Sequence, residues 1–334
     1  MDKILEKDTF NRFKLIKDMI QKYPVIKDTN LLNEINKIKD SYIEYTPKYD
    51  TISDYEKVNE YAQLLIHRKS WQNKINELND MKHYVSIIDG NLEIVILYKD
   101  SLSIPLVNLI FSVIKLFKKI NGDKKILAII GLCEMKRKIT GNIIGRENVN
   151  GGGDDVFGLK IYREEEILKV ILHELTHYYK LDNKELDENQ VEILKKFKII
   201  HPEGFGEEAN KSIHEAYTEI TAMKYYIALI SYYTKISPLI IYHYEKIWSL
   251  YQVCKILNHY RMVRFEDLYT KDLVEDTHVF AYYIIKFFFL WNNTKDFRMI
   301  RDVLEDKEII RVINENINRK FDNSLRMTFF ELKK

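Results

Sequence analysis

Ile167-Leu-Lys-Val-Ile-Leu-His-Glu-Leu-Thr-His-Tyr-Tyr-Lys180 is the stretch on which the reading of this chain turns. It has no Gly or Pro and is rich in Leu, Ile and Val, so the spacing predicts a buried helix. Positions four apart share one helical face, which lets the imidazoles of His173 and His177 reach a single point. Two neutral imidazoles at that spacing suit Zn²⁺, an ion that takes nitrogen and sulfur donors tetrahedrally. Glu174 follows the first His and can reach a water at the ion without being a ligand itself. Ile171, Leu172, Leu175, Thr176 and Tyr178 around these residues are uncharged. A buried metal helix needs that, because an uncompensated charge there is costly. Glu164, Glu165 and Glu166 at the start and Lys180 at the end carry the signs that the helix dipole favours. The plainer alternative is a pair of surface histidines on an ordinary amphipathic helix.

Catalytic zinc keeps three protein ligands and leaves the fourth position for water. The next candidate is Ser212-Ile-His-Glu-Ala-Tyr-Thr-Glu-Ile-Thr-Ala222, again free of helix breakers. Glu215 and Glu219 share a helical face there. Glu215 can close the tetrahedron, and Glu219 can accept the ring N–H of a ligand His, fixing its tautomer. His214 is the alternative third ligand. Four residues after it stands Thr218 rather than an acid, which favours Glu215.

His-Glu-x-x-His followed by a second helix with Glu-x-x-x-Glu resembles the gluzincin group of zinc metallopeptidases, the thermolysin-like clan. The resemblance covers residues 145 to 225, and its interval from His177 to Glu215 is longer than in the compact members. It implies one Zn²⁺ per chain, held by His173, His177 and Glu215, with Glu219 bonded to a ligand His. It assigns Glu174 as the base that takes a proton from water and passes it to the leaving amine. It also implies a zincin-like catalytic core acting on a peptide or protein substrate. In that group a Tyr or His of the C-terminal lobe commonly steadies the oxyanion. The candidates for that role are Tyr283, His278 and Tyr282 on segment 276–292, with His243 or Tyr244 as outsiders. A strand at the sheet edge precedes the metal helix in the group and pairs with substrate backbone. Here Asn148-Val-Asn-Gly-Gly-Gly-Asp-Asp-Val-Phe-Gly-Leu-Lys-Ile-Tyr162 holds a Gly-rich turn and then period-two alternation, with Val156, Leu159 and Ile161 as inward positions. Gly151 to Gly153 lacks the Gly-Lys-Ser/Thr of a phosphate loop.

Composition bounds the remainder. At 334 residues, 46% hydrophobic and 31% charged, the chain can bury a sizeable core. A net charge of +2 supplies no basic field for nucleic acid. Cys133 and Cys254 form no framework and read as buried hydrophobes. The opening residues have no apolar run of signal-peptide type, and no stretch reaches the roughly 20 apolar residues of a membrane span, so an intracellular protein is expected. The longest apolar run, Val279 to Trp291, is interrupted by Lys286 and reads as a core helix. His67, His83, His201 and His259 have no partner at ligand spacing.

Helical patterns occupy residues 8–22, 30–45 and 52–80. Strands follow at Tyr84–Ile88 and Leu92–Tyr98 around Asp89-Gly-Asn, a hairpin signal, and again at Lys125–Ile130. Residues 104–120 form an amphipathic helix, and 186–198, 207–230, 238–260, 276–292 and 297–318 all read as helix, with Pro238 in a first turn. The expected class is α+β, predominantly helical: an N-terminal helical region 1–82, a zincin-like core with a small mixed sheet 83–230, and a helical lobe 231–334. Two other functions fit the same motif, a silent scaffold keeping a structural zinc and a hydrolase of non-peptide amides.

Overall fold

Aliphatic runs with no Pro and few charges make strands that can be buried on both faces. Leu92–Tyr98 and Ile126–Cys133 are two such runs, and in the computed structural model they form the central strands β3 and β4. The model describes residues 4–25, 27–66, 72–156, 158–182, 188–201, 212–293 and 300–333. The chain is α+β, with a mixed six-stranded sheet among many helices.

In chain order the first elements are α1 (Lys7–Lys22), α2 (Thr29–Ser41), β1 (Asp50–Ile52), α3 (Tyr55–Leu65), α4 (Gln72–Asn79) and β2 (His83–Asp89). After β3 come α5 (Ile104–Asn121), β4, α6 (Arg146–Val149), β5 (Gly152–Asp155), β6 (Gly158–Arg163) and α7 (Ile167–Tyr178). Then follow α8 (Glu188–Lys195), β7 (Ile199–Ile200), α9 (Ser212–Thr234), α10 (Pro238–His259) and β8 (Leu273–Val274). A π-helical turn (Phe280–Ile285) leads directly into α11 (Lys286–Asn292), and α12 (Ile300–Leu304) and α13 (Lys307–Asn314) complete the series. The residues divide into two units, one of 36–136 and 151–181, the other of 1–35, 137–150 and 182–333.

The first unit is built on the sheet, ordered β1-β2-β3-β4-β6-β5. β1, β2 and β3 are antiparallel, β3, β4 and β6 parallel, and β5 antiparallel to β6. Gly90 takes φ 61° at the first of the two residues between β2 and β3, as a II′ hairpin turn requires. Parallel pairing of β3 with β4 needs a crossover, which α5 supplies. On one face Tyr84, Val95, Leu97, Ile129 and Cys133 pack with Val58, Ala62 and Leu65 of α3 and Leu78 of α4. The opposite face carries Ile94, Ile96, Ala128, Ile130, Leu159 and Ile161, which pair across β3, β4 and β6. α7 covers that side, packing on β5, β6 and α5.

The second unit is helical. α9, α10, the π-turn and α11 pack on one another, and α1 lies on α10. β7 and β8 pair in parallel beside them. No helix among the described residues is long and apolar enough to cross a membrane.

Three sequence expectations change. Residues 52–80 are not continuous helix: Asp50–Ile52 is an edge strand on β2, and Asp54 then caps α3 by accepting from the Lys57 amide at 3.2 Å. α2 stops at Ser41, and the chain beyond it binds α5, with the Tyr45 amide donating to Ser112 Oγ at 2.9 Å. Val156 points outward at 86% exposure, because it lies in the turn between β5 and β6, whereas Leu159 and Ile161 are inward.

Candidate metal centre

α7 is buried from Ile167 to Thr176. Its start is abrupt: Glu166 sits at φ 59°, a left-handed conformation that side chains rarely adopt, and Glu165 and Glu166 are themselves buried. The three acids therefore precede the helix instead of forming its first turn. His173 and Glu174 are 7% and 6% exposed, and His177 is half-buried one turn on. The two Nε2 atoms lie 3.1 Å apart, with the rings nearly perpendicular. Nitrogens bound tetrahedrally to one zinc at 2.0–2.1 Å sit about 3.3 Å from each other. The pair is thus within a few tenths of an ångström of ligand spacing, and the donor set fits the ion.

The end of α7 is clamped. The Lys180 amide donates to His177 O at 2.7 Å and the Leu181 amide to Thr176 O at 3.1 Å, closing the helix through a left-handed Lys180 at φ 56°. Lys124 donates to Tyr178 O and lies 3.9 Å from the centre of the Tyr178 ring. Tyr178 OH donates to Lys125 O and Tyr179 OH to Gly122 O. Burial pushes the Tyr179 hydroxyl up to about 12. A cation at a helix C-terminus also complements the dipole.

β5 is the last strand of the sheet order and packs against α7. Gly152 makes that approach possible. A Cβ there would lie 3.2 Å from Val170 Cγ1 on α7 and 2.9 Å from both Ile161 Cδ1 and Lys160 O. Asp155 pairs with Lys160 at 2.6 Å across the hairpin.

On α9, Glu215 is half-buried, and Glu219 is fully buried with its carboxylate 3.6 Å from Lys286 Nζ. His214 Nδ1 donates to the Asp182 carbonyl at 2.7 Å, so that nitrogen is committed. Tyr283 donates its one hydroxyl hydrogen to Leu325 O at 2.5 Å and is wholly buried. His278 and Tyr282 touch edge to face. His243 is buried and held down to about 4 by desolvation, and Tyr244 belongs to an aromatic group with Phe13, Phe329 and Phe330. His83 bonds Ser53, and His259 bonds Asn142 O. His201 faces Glu275 at 3.8 Å, where burial pushes the Glu275 carboxyl up to about 8. His67 lies outside the described residues. Both cysteines are buried thiols.

Sequence reasoning passed over Lys124, one of two adjacent lysines before β4, and noted Lys286 only as a break in an apolar run. No family model matches the chain, and neither a curated protein nor a solved structure matches it.

Proposed function

We propose that this chain is a zinc-dependent metallopeptidase of gluzincin type with a zincin-like core. One Zn²⁺ would be held by His173, His177 and Glu215. The observation that carries the reading is the convergence of the two Nε2 atoms at 3.1 Å on a buried helix that also presents Glu174. Glu215, a half-buried carboxylate on α9, is the third donor that the sequence pattern offers. A carboxylate beside two imidazoles is the donor set of hydrolytic zinc sites, which keep a position open for water.

A bound zinc ion supplies Lewis acidity, acidifying water and polarising a carbonyl. Glu174 takes one proton from the attacking water and returns it to the leaving nitrogen, so the water's hydroxyl ends on the acyl carbon and its proton on the amine, giving a carboxylic acid and an amine. His173 and His177 must stay neutral to act as donors, and the clamped end of α7 holds the second ring in place. Glu219 accepts an imidazole N–H, fixing the tautomer of a ligand. β5 offers an extended substrate a strand to pair with, which gives affinity without demanding a particular sequence. Tyr283 is not carried into this scheme, since its hydrogen is already given to Leu325 O.

Metal analysis and peptide hydrolysis test the reading together. One zinc per chain is expected, with hydrolysis lost at least about 100-fold in Glu174→Gln while the zinc is kept. A Glu174→Gln chain that cleaves as fast as the parent removes Glu174 as the base. Zinc content unaffected by His173→Ala removes the site.

A further inference from the structure

α10 carries two basic side chains three residues apart, His243 and Lys246, exposed by only 3% and 2%. Residues at that interval are neighbours on a helix surface. Buried ionisable groups are normally paired, since an unanswered charge away from water is costly. Among the described residues neither of these two has such a partner. His243 Nδ1 is buried without a hydrogen bond, and Lys246 Nζ lies 4.7 Å from the centre of the Trp291 ring with no acid beside it. Burial holds Lys246 down to about 8. Burial and then the Lys246 charge hold His243 down to about 4, against the Ile20 main chain, which favours the charged form.

His243 also lines a groove of about 450 Å³ between the end of α1, residues 23–25 and the start of α10. Clefts of that size take small molecules. Ile20, Val25, Ile240 and Tyr244 make its walls largely apolar, and Val25 and Ile240 are 45% and 43% exposed. The other titratable groups that line it are engaged. Lys22 and Tyr23 both bond Glu315, at 2.7 and 3.4 Å, and Tyr244 packs on Phe329 and Phe330. Tyr23 also meets the Trp291 ring edge to face at 5.4 Å, so one aromatic pair links the groove to Lys246. An apolar trough that ends on two unanswered bases suits an acid with an apolar tail. We propose that this groove binds the carboxylate of a small aliphatic acid, with His243 taking the head group, Lys246 answering its charge and Ile20, Val25 and Ile240 lining the tail. The site shares no residue with the metal centre and goes beyond the metal reading.

Calorimetric titration of the purified full chain with sodium octanoate, beside octanol as the neutral probe, tests the proposal. Saturable octanoate binding is expected, at least about 10-fold tighter than octanol, because hydrogen bonds to charged groups outweigh neutral ones. His243→Leu and Lys246→Met should each weaken octanoate about 10- to 100-fold and leave octanol nearly unchanged. Near the Lys246 value of about 8, the heats should depend on the buffer and report net proton uptake. A bound carboxylate favours the charged form of both bases. Ile240→Glu, a substitution at an exposed position, should weaken octanoate as much, and it decides if a buried variant fails to fold. The proposal is overturned by a parent without saturable octanoate binding, by octanol binding as tightly as octanoate, or by full affinity in His243→Leu or Ile240→Glu. Binding that disappears after treatment with a chelator overturns it too, because the carboxylate then sits on a metal. A chain that takes up no zinc yet binds octanoate leaves this site standing while the metal reading falls.

Discussion

The central strands β3 and β4 and the stretch 325–332 of the irregular segment 319–333 are both buried, yet they satisfy their main chains by opposite means. In the sheet, ladder bonds to neighbouring strands use up the amides and carbonyls, and the side chains are free to be Ile, Val and Leu. Among the described residues, segment 319–333 bonds other backbone at Asn323 and Leu325, with Ile139 and Arg137, and again at Glu331 and Lys333, with Glu6 and Ile4. Its middle depends on side chains. Trp248 and Gln252 both donate to Arg326 O at 2.9 and 2.8 Å, and Arg12 donates to Phe329 O at 2.6 Å. Glu245 accepts from the amides of Phe329 and Phe330 at 2.8 and 3.2 Å. A buried backbone group left unpaired costs as much as a lost hydrogen bond, so each of these polar residues answers a particular amide or carbonyl. Burial holds Lys255, which binds Ser324 O and Asp322, down to about 8. An irregular segment inside a helical bundle thus requires polar residues in the core, where a strand in a sheet does not.

The sharpest way to break that contrast is to damage each side in turn. Ile96→Ala in the sheet should cost about 2–5 kcal/mol through lost burial and a cavity, read as a lower urea midpoint. Glu245→Gln removes no volume, yet it turns one acceptor into a donor facing an amide and should cost about 1–3 kcal/mol. If Glu245→Gln unfolds at the parent's midpoint, segment 319–333 is held by its apolar side chains and the contrast fails.

Glu275 sharpens the comparison through pH. Its carboxyl accepts from the Phe280 amide at 2.7 Å, and burial raises its pKa from 4.5 to about 8. A raised carboxyl favours the fold while protonated, so its contribution is complete below 4.5 and is lost as pH climbs through about 8. The parent's stability should therefore fall more steeply over that window than that of Glu275→Gln. Equal slopes would mean that Glu275 is ionised in the fold.

The smallest effect belongs to Lys180, held left-handed at the end of α7. Lys180→Gly relieves that conformation and should raise the melting temperature by the equivalent of about 0.5–1 kcal/mol. A lower melting temperature would show that the side chain, not the backbone, matters there.

Much of the sheet was legible because its signal is local. Alternation and aliphatic runs give β2, β3 and β4, Gly90 gives their hairpin, and the spacing of His173 and His177 gives a shared face. β1 was not legible, since three residues acquire strand character only by pairing with β2. Val156 misled because a turn resets the alternation. α9 and α10 are buried nearly all round, so periodicity shows that they are helices but not which residues meet. Glu245, Trp248 and Lys286 find their partners tens of residues away, in a segment with no pattern of its own. For the candidate site, α7 can be read directly. The partner of Glu219 cannot.

The reach of Arg12 has a consequence for synthesis. The carbonyl it binds belongs to a residue 317 positions later. Strands β2 to β6, by contrast, are all made between residues 83 and 163. A ribosome therefore completes everything the sheet needs while α1, already in the cell, still waits for its counterpart. Until residues 319–333 emerge, the helical bundle has an open seam lined by Glu245, Trp248 and Lys286, and at that stage of its life the nascent protein most needs a chaperone.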